Sequence, residues 1–246
     1  MTPLPPKSSS YRSINRQVGR AIGRYGMIAN GDRILVAMSG GKDSLTLMWT
    51  LSERLQRVPV DYQLHAVYID PGFDGSFGED LAVYCRQAGY RFRWERTDHG
   101  PRAHGPENRE NPCFLCSWNR RKRIFEIAEQ LGCNKVAFGH HKDDIIETLF
   151  LNICYAGEIS TMKPVQPFFK GLFTVIRPLA LVEEDLIRRF ARQQNFPRFR
   201  NPCPSASGSK RSDIKNLLDG LYKTNKKIRG NIFRAIRHVN PEYLFT

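Results

Sequence analysis

The hexapeptide Ser39-Gly40-Gly41-Lys42-Asp43-Ser44 joins a short apolar run, Ile34 to Met38, to a segment, Ser44 to Leu55, in which Leu47, Met48, Leu51 and Leu55 recur at helical spacing. A buried strand that feeds a helix through two glycines is the opening unit of a parallel sheet. The glycines allow a sharp turn and a close backbone approach to a ligand, and the helix N-terminus offers unpaired N–H groups. Ser39, Lys42 and Ser44 add hydroxyl and ammonium donors, so the loop suits a pyrophosphate. It is not the Walker A pattern, which sets four residues between its Gly and its Gly-Lys. Nor is Gly19 to Gly26 a dinucleotide fingerprint, because its spacing is wrong and no strand precedes it.

The same rhythm continues along the chain. Strands are expected at Leu64 to Asp70, Phe92 to Thr97, Val136 to Gly139 and Thr174 to Leu179. Helices are expected at Glu79 to Ala88, Ser117 to Leu131, Asp143 to Tyr155 and Glu183 to Gln194. Alternating strands and helices imply right-handed crossovers and an α/β fold with a doubly wound, mostly parallel sheet, whose ligands sit at the C-terminal strand ends. Three stretches interrupt the pattern: a Gly-rich loop at Pro71 to Gly78, a polar loop at Asp98 to Pro112, and an irregular segment at Gly157 to Gly171. Before the first strand, Tyr11 to Ala29 reads as a basic helical arm with Arg12, Arg16, Arg20 and Arg24 at four-residue spacing. The expected organisation is an arm at 1–29, a central domain at 30–200, and a cysteine-bearing loop with basic helices at 201–246.

Charge narrows the function. The 246 residues carry a formal net charge of +14, and from Leu186 to Thr246 there are 14 Lys and Arg against Asp213, Asp219 and Glu242, a local balance of +11. A field that wide points to a polyanion, because ATP alone does not require it; a face kept charged for solubility is the alternative. No stretch has the apolar length of a signal peptide or a membrane span, so a cytoplasmic protein with no membrane partner is expected. In a reducing compartment clustered thiols are metal ligands or catalytic groups rather than disulfides.

Six cysteines occur. Cys85, Cys133 and Cys154 fall within or at the end of apolar helical patterns and read as core residues. Cys113-Phe114-Leu115-Cys116 lies in a loop before a helix, and Cys203 stands between prolines. A structural zinc site wants a fourth ligand, and no second Cys-x-x-Cys exists. A redox dithiol would use Cys113 and Cys116 alone. Three thiolates suit a 4Fe-4S cluster with one open iron, and spacing ranks that cluster only modestly above zinc.

The phosphate loop resembles the signature of the PP-loop ATP pyrophosphatases, which cleave ATP between the α and β phosphates. Gly139-His140-His141-Lys142-Asp143-Asp144 resembles the second nucleotide-site motif of that superfamily. Together with Cys-x-x-Cys before a basic helix, the Ile176-Arg177-Pro178-Leu179 strand and a late Pro-Cys, these motifs resemble the tRNA 2-thiocytidine synthetase family from about Asn30 to the final helix. The resemblance implies an adenine nucleotide alpha hydrolase-like fold and an ATP site built on Ser39, Gly40, Gly41, Lys42, Asp43, Ser44, Asp70, His140 and Asp144. It also implies a 4Fe-4S cluster on Cys113, Cys116 and Cys203. Lys42, Asp43 and Asp143 are the candidate catalytic residues. Asp143 and Asp144 could be simple helix caps, but at the ligand edge of the sheet magnesium or water coordination by at least one is favoured. His141 is left as a surface residue.

Arg120, Arg121, Lys122 and Arg123 open the helix expected from Ser117, where cations oppose the helix dipole by about 0.3–1 kcal/mol each. A docked phosphate backbone would compensate, which makes Arg120, Arg121 and Arg123 candidate tRNA contacts. The implied reaction has ATP adenylate the C2 oxygen of a cytidine with release of pyrophosphate. A sulfide on the open iron, or a persulfide, then displaces AMP. The sulfur comes from a donor such as a cysteine desulfurase, and a homodimer is left open. Two rivals are a tRNA lysidine synthetase, which shares the adenylation but leaves the three cysteines unexplained, and a non-catalytic metal-containing nucleic-acid-binding module.

Overall fold

A computed structural model describes residues 8–109, 111–206 and 210–243. The chain divides into two compact units, one of Met1–His141 with Lys163–Ala206 and one of Lys142–Met162 with Ser207–Thr246. The division differs from the boundaries expected at 29 and 200. The apolar face of the N-terminal arm belongs to the core of the larger unit, and the smaller unit combines a central helix with the C-terminal ones.

Six strands form the sheet of the larger unit: β1 (Asp32–Met38), β2 (Tyr62–Asp70), β3 (Phe92–Arg96), β4 (Lys135–Ala137), β5 (Val165–Phe168) and β6 (Phe173–Ile176), in the order β3-β2-β1-β4-β6-β5. All neighbours are parallel except β5 with β6. The strand period of two explains why these runs are apolar throughout. In β1, Ile34, Val36 and Met38 enter one core while Leu35 and Ala37 enter the other; in β2, Ala66 and Tyr68 part from Val67 and Ile69 in the same way. Helices α1 (Ser9–Tyr25), α2 (Lys42–Leu55), α3 (Gly78–Gln87), α4 (His99–His104), α5 (Pro112–Gln130) and α7 (Glu184–Gln193) complete this unit; α6 (Lys142–Ala156), α8 (Lys210–Thr224) and α9 (Ile228–Ala235) belong to the other. Among the described residues no helix is long and apolar enough to cross a membrane.

Local chemistry sets the ends of α1. The Ser8 hydroxyl accepts the Tyr11 N–H at 3.1 Å, and Gly26 stops the helix at φ 57°, short of the expected Ala29. Tyr11, Ile14, Val18 and Ala21 are buried along one stripe, while Arg12, Arg16, Arg20 and Arg24 face solvent. The stripe meets α2 through Tyr11, edge-on to Trp49 at 5.8 Å, and Trp49 in turn lies edge-on to Phe190 of α7 at 5.0 Å.

Four expectations are corrected. The segment 157–171 is not wholly irregular, because β5 forms there as an antiparallel edge strand on β6. The polar loop at 98–112 contains α4. Helix α5 begins at Pro112 rather than Ser117: Asn111 caps it by accepting the N–H groups of Cys113 at 3.0 Å and Phe114 at 3.2 Å, with Pro at the first position. Arg120 to Arg123 therefore stand in the third turn and beyond, outside the reach of the N-terminal dipole, and the inferred conflict does not arise. Cys85 and Cys133 are buried as expected, but Cys154 is exposed.

In the smaller unit Ile146, Ile214 and Leu218 form a buried cluster backed by Phe150, Leu151, Tyr222, Ile232 and Phe233. This small core holds α6, α8 and α9 as a helical body of its own.

Phe190 is fully buried between Trp49 and Phe196. Phe190→Ala is expected to lower the unfolding free energy by about 3–5 kcal/mol, the range for emptying an aromatic site in a packed core. Urea denaturation followed by far-ultraviolet circular dichroism measures it.

Candidate nucleotide and thiol site

The chain leaves β1 for β2 and β3 on one side of the sheet and returns to β4 on the other, so β1 and β4 flank the point where the strand order reverses. Ligand crevices of open α/β sheets form at this point. The loop after β1 is Ser39 to Gly41. Gly40 sits at φ 72°, and a Cβ there would lie 2.6 Å from Phe77, so both backbone and space require glycine. The loop is held by its own hydroxyls: Ser39 N–H and Oγ donate to Ser44 Oγ at 3.1 and 3.2 Å, and Ser44 Oγ donates to the Gly41 carbonyl at 3.0 Å. Helix α2 starts without a side-chain cap, which leaves its first-turn N–H groups for an anion.

Lys42 is not solitary. Its ammonium lies 3.1 Å from Asp43 and 3.0 Å from Glu184 at the start of α7. Burial pulls its pKa down, but the two carboxylates raise it by more, so it stays above the ordinary lysine value and carries full charge at neutral pH. The other Asp43 oxygen is buried and faces His141 Nε2 at 3.7 Å. His141 is only 4% exposed, which corrects its reading as a surface residue. Gly139, after β4, packs so tightly that a Cβ would lie 3.1 Å from both the Asp43 carbonyl carbon and the Ser44 nitrogen.

Asp70 ends β2 fully buried. It accepts the Gly72 N–H at 2.8 Å and the Ser76 hydroxyl, and thereby orders the loop that carries Phe77. Phe77 stacks between Tyr68 and Phe199, at 5.0 Å from each. A cleft of about 830 Å³ opens beside the phosphate loop, lined by Gly40, Lys42, Asp43, Arg188, Arg192 and Arg198 among others.

The thiols lie on the same unit. Cys113 is exposed in the first turn of α5, Cys116 is buried one turn on, and Cys203 is partly exposed. Burial pushes the Cys116 thiol up; Arg120 pulls it down; Cys203 and Cys113 push it up again, so the three sulfurs share one electrostatic neighbourhood. They are near each other without a ligand arrangement: among the described residues no group of three or more His, Cys, Asp or Glu side chains is set to hold a metal ion. Thiol donors are the chemistry that a thiophilic iron centre takes.

The basic residues take different roles. Arg123 is fixed by Glu95 at 2.7 Å and Glu126 at 2.8 Å, whereas Arg121 is exposed. The Arg120 Nε is buried with no hydrogen-bond partner. In the smaller unit Asp143 lies 3.1 Å from Arg229, and Asp144 lies 3.7 Å from Arg211. His140 Nδ1 accepts the Arg177 Nε–H at 3.3 Å. Arg177 is 7% exposed, and its pKa is pulled down to about 10 by burial first and by Arg121 second. Sequence reading missed Glu184, Arg188, Arg177 and the Phe77–Phe199 stack. Only Arg177 had a local signal, its place inside the Ile-Arg-Pro-Leu run.

Residues 10–218 match the family model of the PP-loop domain. The tRNA-cytidine(32) 2-sulfurtransferase of Geobacter sulfurreducens is 40% identical over 95% of this chain and 92% of its own. That of Polynucleobacter asymbioticus is 38% identical over 95% of this chain and 78% of its own. Among solved structures, the U34-tRNA thiolase NcsA from Methanococcus maripaludis with its [4Fe-4S] cluster superposes with a TM-score of 0.78 at 24% identity, over 94% of this chain and 80% of that one, a likeness of fold. With the loop, the switch point and these relatives in agreement, the chain belongs to the PP-loop family and, within it, to the tRNA-cytidine(32) 2-sulfurtransferases.

Proposed function

We propose that the protein is an ATP-dependent tRNA sulfurtransferase that adenylates a cytidine at tRNA position 32 and converts it to 2-thiocytidine, with a [4Fe-4S] cluster on Cys113, Cys116 and Cys203. The names of its relatives and the cluster in NcsA support this reading. One observation carries it: the segment that places Phe199 on the ring of Phe77, over Gly40 of the phosphate loop, reaches Cys203 four residues later, beside Cys116. One stretch of backbone thus links a nucleotide-activating loop to the thiols, as a two-step reaction on one base requires. The rival lysidine synthetase has no use for the thiols, and a passive binding module has no use for the loop.

In the first step the C2 oxygen of cytidine attacks the α-phosphate of ATP, and the bond to the β-phosphate oxygen breaks. The N–H groups of Gly40 to Asp43 and the Lys42 ammonium bind the departing pyrophosphate, where negative charge grows. Asp43, turned between Lys42 and His141, orients both. Asp143 or Asp144 would hold magnesium once its arginine partner yields. A cluster on three thiolates supplies, when bound, one iron position for sulfur. In the second step a carbon–sulfur bond forms at C2 and AMP departs with the former C2 oxygen. Sulfur enters at the sulfide level, from a donor such as a cysteine desulfurase together with a thiol reductant that supplies two electrons, Arg120 and Arg121 bind tRNA phosphates, and the setting is the cytoplasm.

Lys42→Ala is expected to slow pyrophosphate release from ATP and tRNA by about 100- to 1,000-fold, the range for losing one preorganised donor, with iron content unchanged. Iron loss in this variant would mean that loop and thiols are not separable parts.

Cys203→Ala, purified without oxygen, is expected to lose iron absorbance and base thiolation while binding ATP as the parent does. Full iron with intact 2-thiocytidine on nucleoside analysis would discard Cys203 as a ligand, and a thiolated base other than cytidine would discard the assigned substrate.

A further inference from the structure

On α5, Phe114 and Trp118 are exposed by 55% and 56%, although the same helix buries Cys116 between them and Ile124, Ile127 and Ala128 farther along. Their rings are 6.4 Å apart and within 21° of parallel. Residues four apart lie on one helical face, and the next positions of that face are Arg121 and Lys122, both exposed. Phe114 follows Cys113, which is exposed, whereas Cys116, two positions from each ring, lies on the buried side of the helix. An aromatic pair that leads into two exposed cations, one of them steadied by the Arg121 Nε–H donating to the Ser117 carbonyl at 3.3 Å, is left in water.

We infer that Phe114 and Trp118 form a stacking platform for an unpaired tRNA base, with Arg121 and Lys122 holding the adjoining phosphates. The inference rests on the tRNA-thiolating reading above. Single-stranded nucleic acid is bound by this combination, because every base offers a π-face and every linkage a negative charge. A protein partner would be expected to meet such a patch with acidic groups, but it would not need two near-parallel exposed rings. The platform answers a geometric need of the reaction: a base presented to both ATP and sulfur must leave its own stack, and an aromatic face replaces the stacking it gives up.

Of the three tryptophans, Trp49 is buried and Trp94 partly buried, so Trp118 is the exposed reporter. Titrating the whole protein with an unmodified tRNA transcript carrying cytidine 32 is expected to quench Trp118 emission. Trp118→Ala should raise the Kd for that transcript about 5- to 150-fold. Phe114→Ala should shift it in the same direction, and Trp118→Phe should restore most of the loss. Melting temperatures of the alanine variants should match the parent, since both side chains face solvent. A parental Kd in Trp118→Ala, with the transcript still thiolated, overturns the platform and leaves the proposed function standing. Equal binding and quenching by a blunt RNA duplex overturns base stacking in favour of backbone contact. Absence of any tRNA binding by the parent protein removes both.

Discussion

The contact on which the site depends is backbone against backbone: Gly139, after β4, rests on the peptide between Asp43 and Ser44 at the start of α2. Because β1 and β4 are parallel neighbours, in register from Ile34 with Lys135 to Val36 with Ala137, their following loops leave the sheet side by side. A side chain at 139 would push the phosphate loop away by a few tenths of an ångström. Loop hydroxyls, the uncapped helix start and the Asp43–His141 contact all inherit their positions from that approach. The burial of β1 on both faces makes the arrangement stiff, since close-packed interiors transmit small displacements rather than absorb them.

Charge is distributed with equal economy. Lys42 sits between two carboxylates, which keeps an ammonium charged at a half-buried position where burial alone would favour the neutral amine. Glu184 also reaches Arg188 at 3.0 Å, so one carboxylate ties the phosphate loop to the cationic wall of the cleft. Arg123 is spent on Glu95 and Glu126, whereas Arg121 and Lys122 one face over are exposed. The net charge of the chain is thus a poor guide to which cations can meet a polyanion. Arg177 is the extreme case, a buried guanidinium held by the Lys163 carbonyl and the His140 ring.

Helix α5 shows how two residues redirect an interpretation. Reading its start at Ser117 set four cations at a helix N-terminus and demanded a compensating anion. Asn111 and Pro112 move the start back by more than a turn, put both Cys113 and Cys116 inside the helix, and remove the conflict. The cap signal was legible beforehand, but the Pro lay in a polar stretch whose composition suggested a loop. What that helix offers RNA is its row of exposed aromatic and basic side chains.

The sequence by itself determined the parallel sheet, because runs such as Ile34 to Met38 are apolar on both alternations and only burial on two faces explains that. It also determined the phosphate loop, whose glycines and hydroxyls act through contacts within six residues, and the family likeness carried by its motifs. Tertiary structure alone decided the rest. Glu184 reaches Lys42 across 141 intervening sequence positions, Phe199 meets Phe77 across more than a hundred, and the β5 edge strand exists only because β6 offers it hydrogen bonds. Such pairings leave no local period or cap in the chain. Which sequence-distant side chains come to lie on the loop is settled by the order in which strands enter the sheet, and that order is a property of the whole packed core.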